Sequence, residues 1–461
     1  NITSGTITNC SNSGTVTGTG SRIGGICGWN DEGTITNCSN SGDVTGTGSG
    51  DYVGGICGEN SYAPLYGYGG SITNCSNSGP VTGSGDYVGG ICGLNSGSIT
   101  NCYRLDSTAE KDVGVNEAGA TVTEVLSKNA AAYKSGEVAW LLNQGQTDGP
   151  WRQNLSGNDK DEFPTLDPTH DTVVQLTFNA NTGKEEDNSI VYGNAGSALP
   201  NVTLPEITGY TFGGWYDNEA LSGEPETAIP DDATGAKTYY AKWTANTYTV
   251  NLNANGGTIA DGKDVTNYTY GTATALPTAQ DITHTGFNFG GWYDNAAFSG
   301  APVTGITTTD FGDKTYYAKW TAEVTLNTNG GTVNSGNVTN YTYGTETTLP
   351  TDVTRAGYTF AGWYENEALE GEAVTTIPAD ATGAKEYWAK WTAKSYPSAP
   401  PTVSEETTDA IQDAQPGETV TVDLSSGSTK LDKEVFENLA GRDVTLVVDL
   451  GDGVSWTVKG S

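Results

Sequence analysis

Methionine is absent from this 461-residue chain, even at position 1, so the sequence reads as a processed or excised piece of a longer protein. Histidine occurs only at His170 and His284, and no H-E-x-x-H is present, which removes the ligand set of a zinc peptidase. Basic residues are scarce. Against 55 Asp+Glu stand 21 Lys+Arg, and the formal net charge of −34 repels a phosphate backbone, so nucleic acid is excluded as a partner. No apolar run reaches the roughly 18 residues that a membrane span needs, and no secretion signal is recognisable. In a piece of a longer chain, neither absence bears on the parent. Catalytic signatures are missing too: there is no G-x-S-x-G, no P-loop, no dinucleotide fingerprint and no defined acid/base pair. The expectation is a chain without catalytic residues, cofactor or metal site.

What is present is repetition of two kinds. In the first hundred residues, Ile7-Thr8-Asn9-Cys10 returns at 35–38, 72–75 and 99–102, interleaved with Gly24-Gly25-Ile26-Cys27 and its copies at 54–57 and 89–92. Short β-branched runs separated by Gly, Asn and Ser corners predict two or three strands per unit. Stacked on their counterparts they make a parallel β-solenoid of four coils rising about 4.8 Å each. A stub of roughly 20 Å is short for a solenoid, and coils upstream in the parent are expected.

These units resemble the Glug repeat of bacterial surface and secreted proteins, some of them immunoglobulin A peptidases. The resemblance covers residues 1–105 and implies location and architecture; without zinc ligands it implies no catalysis. All seven cysteines lie here. Cys10, Cys38, Cys75 and Cys102 in one series, and Cys27, Cys57 and Cys92 in the other, are read as core residues stacked from coil to coil. A disulfide framework and a metal site are the other readings. The odd count opposes full pairing, and the absence of C-x-x-C opposes metal.

One corner is enlarged by residues 61–70, where Tyr62, Tyr66 and Tyr68 form a candidate ligand-binding loop; the competing reading is a passive surface loop. T-x-T pairs such as Thr6 with Thr8 could suggest an ice-ordering face, but Ser71, Pro80 and Ser98 interrupt it. Residues 106–170 change to a partly helical pattern, broken at Ser135-Gly136, and are read as a cap over the open solenoid end, anchored by Trp151 and Phe163. A calcium loop at Asn158, Asp159, Asp161 and Glu162 does not match EF-hand spacing.

The second repeat is aromatic. A G-W-Y block is followed 28 residues later by an A-K-W block in three copies: Trp215 with Trp243, Trp292 with Trp320, Trp363 with Trp391. The copies span 173–245, 246–322 and 323–393. They resemble the Listeria-Bacteroides repeat of internalin B-repeat type, which implies small β-grasp-like α+β domains in bacterial cell-wall proteins. A unit of this size has a marginal core, so the six tryptophans are read as structural anchors, against the alternative of an exposed platform for sugar rings. Alternation puts Tyr239, Ala241 and Trp243 on one face and Lys242 on the other. That orientation argues against an internal isopeptide bond from Lys242, Lys319 or Lys390.

Residues 394–402 read as a stiff Pro-rich linker. Residues 403–461 read as a partial α+β module, with a strand near 418–424, a helix near 432–439 and strands at 443–450 and 454–459. The chain is therefore expected to be mainly β and multidomain. It reads as an extracellular, non-catalytic segment of an adhesin or stalk at a bacterial cell surface or wall. Its partners are expected among host or bacterial glycans or proteins. The alternative is a binding accessory region of a larger secreted enzyme.

Overall fold

In the computed structural model, residues 1–63, 68–395, 402–425 and 430–460 are described, excepting the side chains of Ala63 and Tyr68. Tyr66 and most of the 394–402 linker lie outside the described residues, as does the side chain of Tyr68. The chain divides into two compact units, Asn1–Ala245 and Asn246–Ser461.

The first unit opens with the solenoid. Strands from successive coils pair in parallel and in register: Ile7, Ile35, Ile72 and Ile99 form one row, and Cys27, Cys57 and Cys92 another. The sequence motifs follow from this stacking. Asn9, Asn37, Asn74 and Asn101 occupy the left-handed region at φ 51–54°, a corner Asn tolerates better than most side chains. Asn30, Asn60 and Asn95, buried, and the exposed Asn116 form a ladder of amide hydrogen bonds at 2.7, 2.8 and 3.1 Å, and the half-buried Asn12 with the buried Asn40 and Asn77 forms another at 2.7 and 2.8 Å.

Six cysteines are buried free thiols in this core. The hydrogen bond with the neighbouring Cys75 thiol, and then burial, raise the Cys38 pKa, and burial raises that of Cys57. Cys10 departs from the core assignment: it is exposed in this chain, where it is stacked on one side only, by Cys38. A thiol reagent is accordingly expected to modify Cys10 alone in the native protein and all seven cysteines after denaturation. Modification of several in the native state would contradict the stacked core.

Two expectations for this region change. Each coil is cut into more and shorter strands than two or three, as in Cys27–Asp31, Thr34–Thr36, Ser39–Asn40, Val44–Ser49 and Tyr52–Gly54. The ladder also runs on past residue 105. Val113–Asn116 and Thr121–Lys128 add a fifth, parallel rung to the fourth coil.

Helices Ala130–Ser135 and Glu137–Leu142 meet at Gly136, which takes φ 92°. They dock at the solenoid corner, where Asn101 Nδ2 donates to Leu141 O and Tyr133 Oη lies 3.2 Å from Ser76 Oγ. Trp151 is fully buried there, and Phe163 packs edge-on against Tyr133. Val122 and Leu126 of the fifth rung stay exposed, so the helices hold the flank and leave that part of the end uncovered. The segment also joins the solenoid to the first Trp copy: Asn194 accepts from Leu155 N at 2.8 Å and donates to Gln153 O at 2.7 Å.

Each Trp copy is built around a mixed sheet whose first and last strands run parallel. In the first copy, Val173–Asn179 pairs in parallel with Lys237–Ala245, flanked by Ser189–Asn194 and Tyr210–Tyr216. The G-W-Y motif is a bulge. Register slips between Phe212 and Trp215, and Gly214 takes φ 116°; Gly291 and Gly362 repeat this at 107° and 120°. Helical content expected of α+β repeats is confined, among the described residues of the three copies, to the 3-10 turn Glu185–Asp187. After the bulge the chain is held by side-chain turns, such as Asn218 Nδ2 to Ser222 O, in Gly- and Pro-rich sequence that disfavours a helix.

In the second unit the boundary placed at 322/323 falls inside a continuous 14-residue strand, Lys314–Asn327. This strand closes copy two and opens copy three. Tyr343 of copy three donates its backbone N–H to Trp320 O at 3.0 Å, and its ring lies 5.0 Å from His284 and 5.2 Å from Phe287 of copy two. The two copies thus share aromatic core. Tyr343→Ala is expected to destabilise the pair by about 2 kcal/mol. With Phe287→Ala the two losses should fall short of additivity by about 1 kcal/mol in a denaturant double-mutant cycle; strict additivity would mean the copies are uncoupled.

The last module gains a helix, Val403–Asp413, that the sequence reading did not assign. Its Asp413 accepts from Gly357 N of copy three at 3.4 Å, and Lys394 at the start of the linker lies 3.6 Å from Asp409 and 3.9 Å from Asp413.

Candidate binding surfaces

The six motif tryptophans are not equivalent. Trp292 and Trp363 are 1% exposed, each donating Nε1–H to a proline carbonyl, Pro277 O at 2.8 Å and Pro350 O at 2.7 Å. Trp215 and Trp320 are buried as well. Trp243 and Trp391 are only half-buried, although Trp243, Trp320 and Trp391 hold the same bond, to Ala180 O, Ala254 O and Thr328 O. The lysines stand on the opposite face, over tyrosine rings: Lys242 over Tyr216 at 4.8 Å, Lys319 over Tyr293 at 5.5 Å, Lys390 over Tyr364 at 4.6 Å.

Copy one differs at its tryptophan. In copies two and three the N-G-G turn leads into a short strand, Thr258–Ile259 or Thr332–Val333, paired with Ile282–Thr283 or Val353–Thr354. There the glycine backbone sits so close that a Cβ at Gly257 or Gly331 would collide with Cζ2 of Trp320 or Trp391. Copy one has Asn181-Thr182-Gly183-Lys184 instead. Gly183 takes φ 80°, a Cβ on it would meet nothing within 4 Å, and the 3-10 turn Glu185–Asp187 replaces the strand. The result is an open groove of about 510 Å³ beside Trp243, with Pro205, Ile207 and Tyr210 as apolar wall and Lys184, Asp187 and Glu206 among its polar residues. The difference is visible in the sequence as the departure of Asn181-Thr182-Gly183 from Asn255-Gly256-Gly257 and Asn329-Gly330-Gly331.

On the solenoid, Tyr62 is 44% exposed at the base of a hairpin in which Tyr62 and Ala63 pair with Gly69 and Tyr68. Beside it is a patch that the sequence reading did not single out. The Arg22 guanidinium lies 4.5 Å over the Trp29 ring and pairs with Glu59; Trp29 Nε1 donates to Ser61 Oγ, which donates to Glu59 at 2.8 Å. Its polar groups are engaged with one another, which makes the patch a lock between neighbouring coils.

The one histidine in an acidic setting is His170. Its Nδ1 lies 2.6 Å from Asp161 Oδ2, and this hydrogen bond, opposed by desolvation, raises its pKa above the ordinary value. A raised folded value means the stabilisation is fully present below about pH 6.5 and lost as pH rises through the folded pKa. An NMR titration of His170 is expected to give a midpoint above 6.5, and Asp161→Asn should lower it. Among the described residues no group of three His, Cys, Asp or Glu could hold a metal.

The comparisons with known proteins match both repeats. The model of the GLUG motif matches residues 19–45 and 49–82, and that of the Listeria-Bacteroides repeat domain matches 175–242, 248–319 and 323–386. The chain carries Glug motifs and three Listeria-Bacteroides repeats. The first repeat, with its open groove, and the second and third, with their shared strand, are thus variants of one module. Similar proteins include a "Putative Gly-rich membrane protein" of Evansella cellulosilytica, 32% identical over 197 residues, which is 42% of this chain and 22% of that protein. Internalin H of Listeria monocytogenes is 30% identical over 234 residues, 47% of this chain and 38% of that protein. The chain thus spans well under half the length of these relatives. A solved structure described as a putative immunoglobulin A1 protease from Bacteroides ovatus covers 35% of this chain and 57% of its own at 24% identity. With a TM-score of 0.26 it carries no argument about this fold. No helix among the described residues is long and apolar enough to cross a membrane.

Proposed function

We propose that this chain is a non-catalytic segment of a bacterial surface protein that projects and presents a binding region. The observation that carries the reading is the way modules are joined: a helical segment hydrogen-bonded to the first Listeria-Bacteroides repeat, and a single strand with shared aromatic core through the second and third. Such joints suit a spacer that must hold what it carries in a fixed setting. The Listeria-Bacteroides repeats, together with similarity to Internalin H and to a protein named for a membrane, support a surface location. The acidic surface, net −34, keeps such a segment soluble and off nucleic acid.

The test is display of the intact chain on an otherwise inert cell, followed by adhesion to immobilised glycans and extracellular-matrix proteins, with product analysis of the same ligands in solution. Adhesion without turnover is expected. Cleavage of any ligand by the purified chain would overturn the reading and favour an enzymatic one.

A further inference from the structure

We infer that the groove beside Trp243 in the first repeat is a binding site for a neutral saccharide. This assignment rests on the reading of the chain as a presenting segment and gives that segment a site of its own. In the sister repeats, backbone is packed against the ring edge of the equivalent tryptophan, Trp320 or Trp391. Around Trp243 the N-T-G-K turn has moved away, and the paired strand is gone. The indole is still fixed by its bond to Ala180 O at 2.7 Å and by edge-on packing against Phe212 at 5.8 Å, so it offers a rigid apolar wall that loses little entropy on binding.

The chemistry of the lining selects the ligand. A volume of about 510 Å³ lies within the range of small-ligand sites and admits a short oligosaccharide. Trp243, Pro205 and Ile207 match the C–H face of a pyranose ring. Lys184 supplies donors, and Glu206 and Asp187 supply acceptors. Neither Lys184 nor Glu206 has an ion-pair or side-chain hydrogen-bond partner among the described residues, so both are available without breaking a native contact. Two carboxylates against one ammonium, in a chain of net charge −34, repel an anionic glycan. An uncharged polyol with many hydroxyl donors fits both signs. The solenoid patch around Trp29 lacks this property, because its polar groups already satisfy one another.

The full chain should be tested on an array of neutral oligosaccharides, and the bound species titrated by calorimetry. Lys184→Ala with Glu206→Ala removes the free polar groups at exposed positions without touching the core, and circular dichroism of this variant should be unchanged. Affinity for the neutral glycan is expected to fall at least tenfold in the double variant and to be unchanged in Tyr62→Ala. Equal affinity in wild type and double variant would overturn the groove while leaving the presenting segment intact, as would loss confined to Tyr62→Ala. Binding only to acidic glycans would also overturn it. Turnover of a bound glycan would instead bring down the non-catalytic reading.

Discussion

Replacing Trp363 by alanine is expected to destabilise its repeat by about 3 to 5 kcal/mol, the range for truncating a buried aromatic. The ring is 1% exposed, packs edge-on against Phe360 at 5.5 Å and donates to Pro350 O at 2.7 Å. Its loss removes a large share of the apolar area of a small core and leaves a buried carbonyl without its donor. Because Phe287 of the second repeat also packs on this core, the loss should spread to the second repeat. Denaturant unfolding followed by the remaining tryptophans would measure it. As a control, Phe311→Ser, at a residue 61% exposed, should change stability by less than about 0.5 kcal/mol. A Trp363→Ala variant that melted at the wild-type temperature would exclude a core role.

The second large effect is expected at Asn60. Its amide accepts from Asn30 at 2.7 Å and donates to Asn95 Oδ1 at 2.8 Å and Gly70 O at 3.0 Å, entirely inside the solenoid. Asn60→Ala breaks the ladder in its middle and removes three buried hydrogen bonds at about 1 kcal/mol each, while Asn30 Nδ2 keeps Gly33 O, Asn95 Oδ1 keeps Gly97 N–H and Gly70 O keeps Ser98 N–H, so a loss of about 3 kcal/mol is expected. Hydrogen exchange should show loss of protection across residues 27–31, 57–61 and 92–95 together. Protection lost at 57–61 alone would mean the ladder does not couple coils.

Periodicity made the architecture legible where one side chain type had one possible place. The corner Asn of I-T-N-C, the stacked Ile and Cys, and the paired tryptophans all recur because each coil or repeat sets the same geometric requirement. Boundaries were less legible. Val113–Asn116 and Thr121–Lys128 carry neither motif, yet they pair with the fourth coil, since backbone ladders ask for extended chain and tolerate many side chains. Helix Val403–Asp413 did carry a local signal, the Thr402 to Glu405 capping box, which the Pro-rich approach masked. The groove was hidden for another reason. It arises from something the first repeat omits, and the meaning of Thr182-Gly183-Lys184 emerges only when the other two copies show what normally covers the ring.

The strand Lys314–Asn327 has a mechanical consequence. It lies parallel to Thr247–Asn253 over its first part and parallel to Lys385–Ala393 over its last, so the first and last strands of each of these two repeats run side by side in the same direction. Tension applied through the chain ends would slide such neighbours lengthwise. Several ladder bonds would then have to shear at once, where an antiparallel hairpin pulled from its ends would unzip one bond at a time. The same covalent strand would pass the load from one repeat into the next with no hinge between them. A surface tether under flow would meet its resistance there.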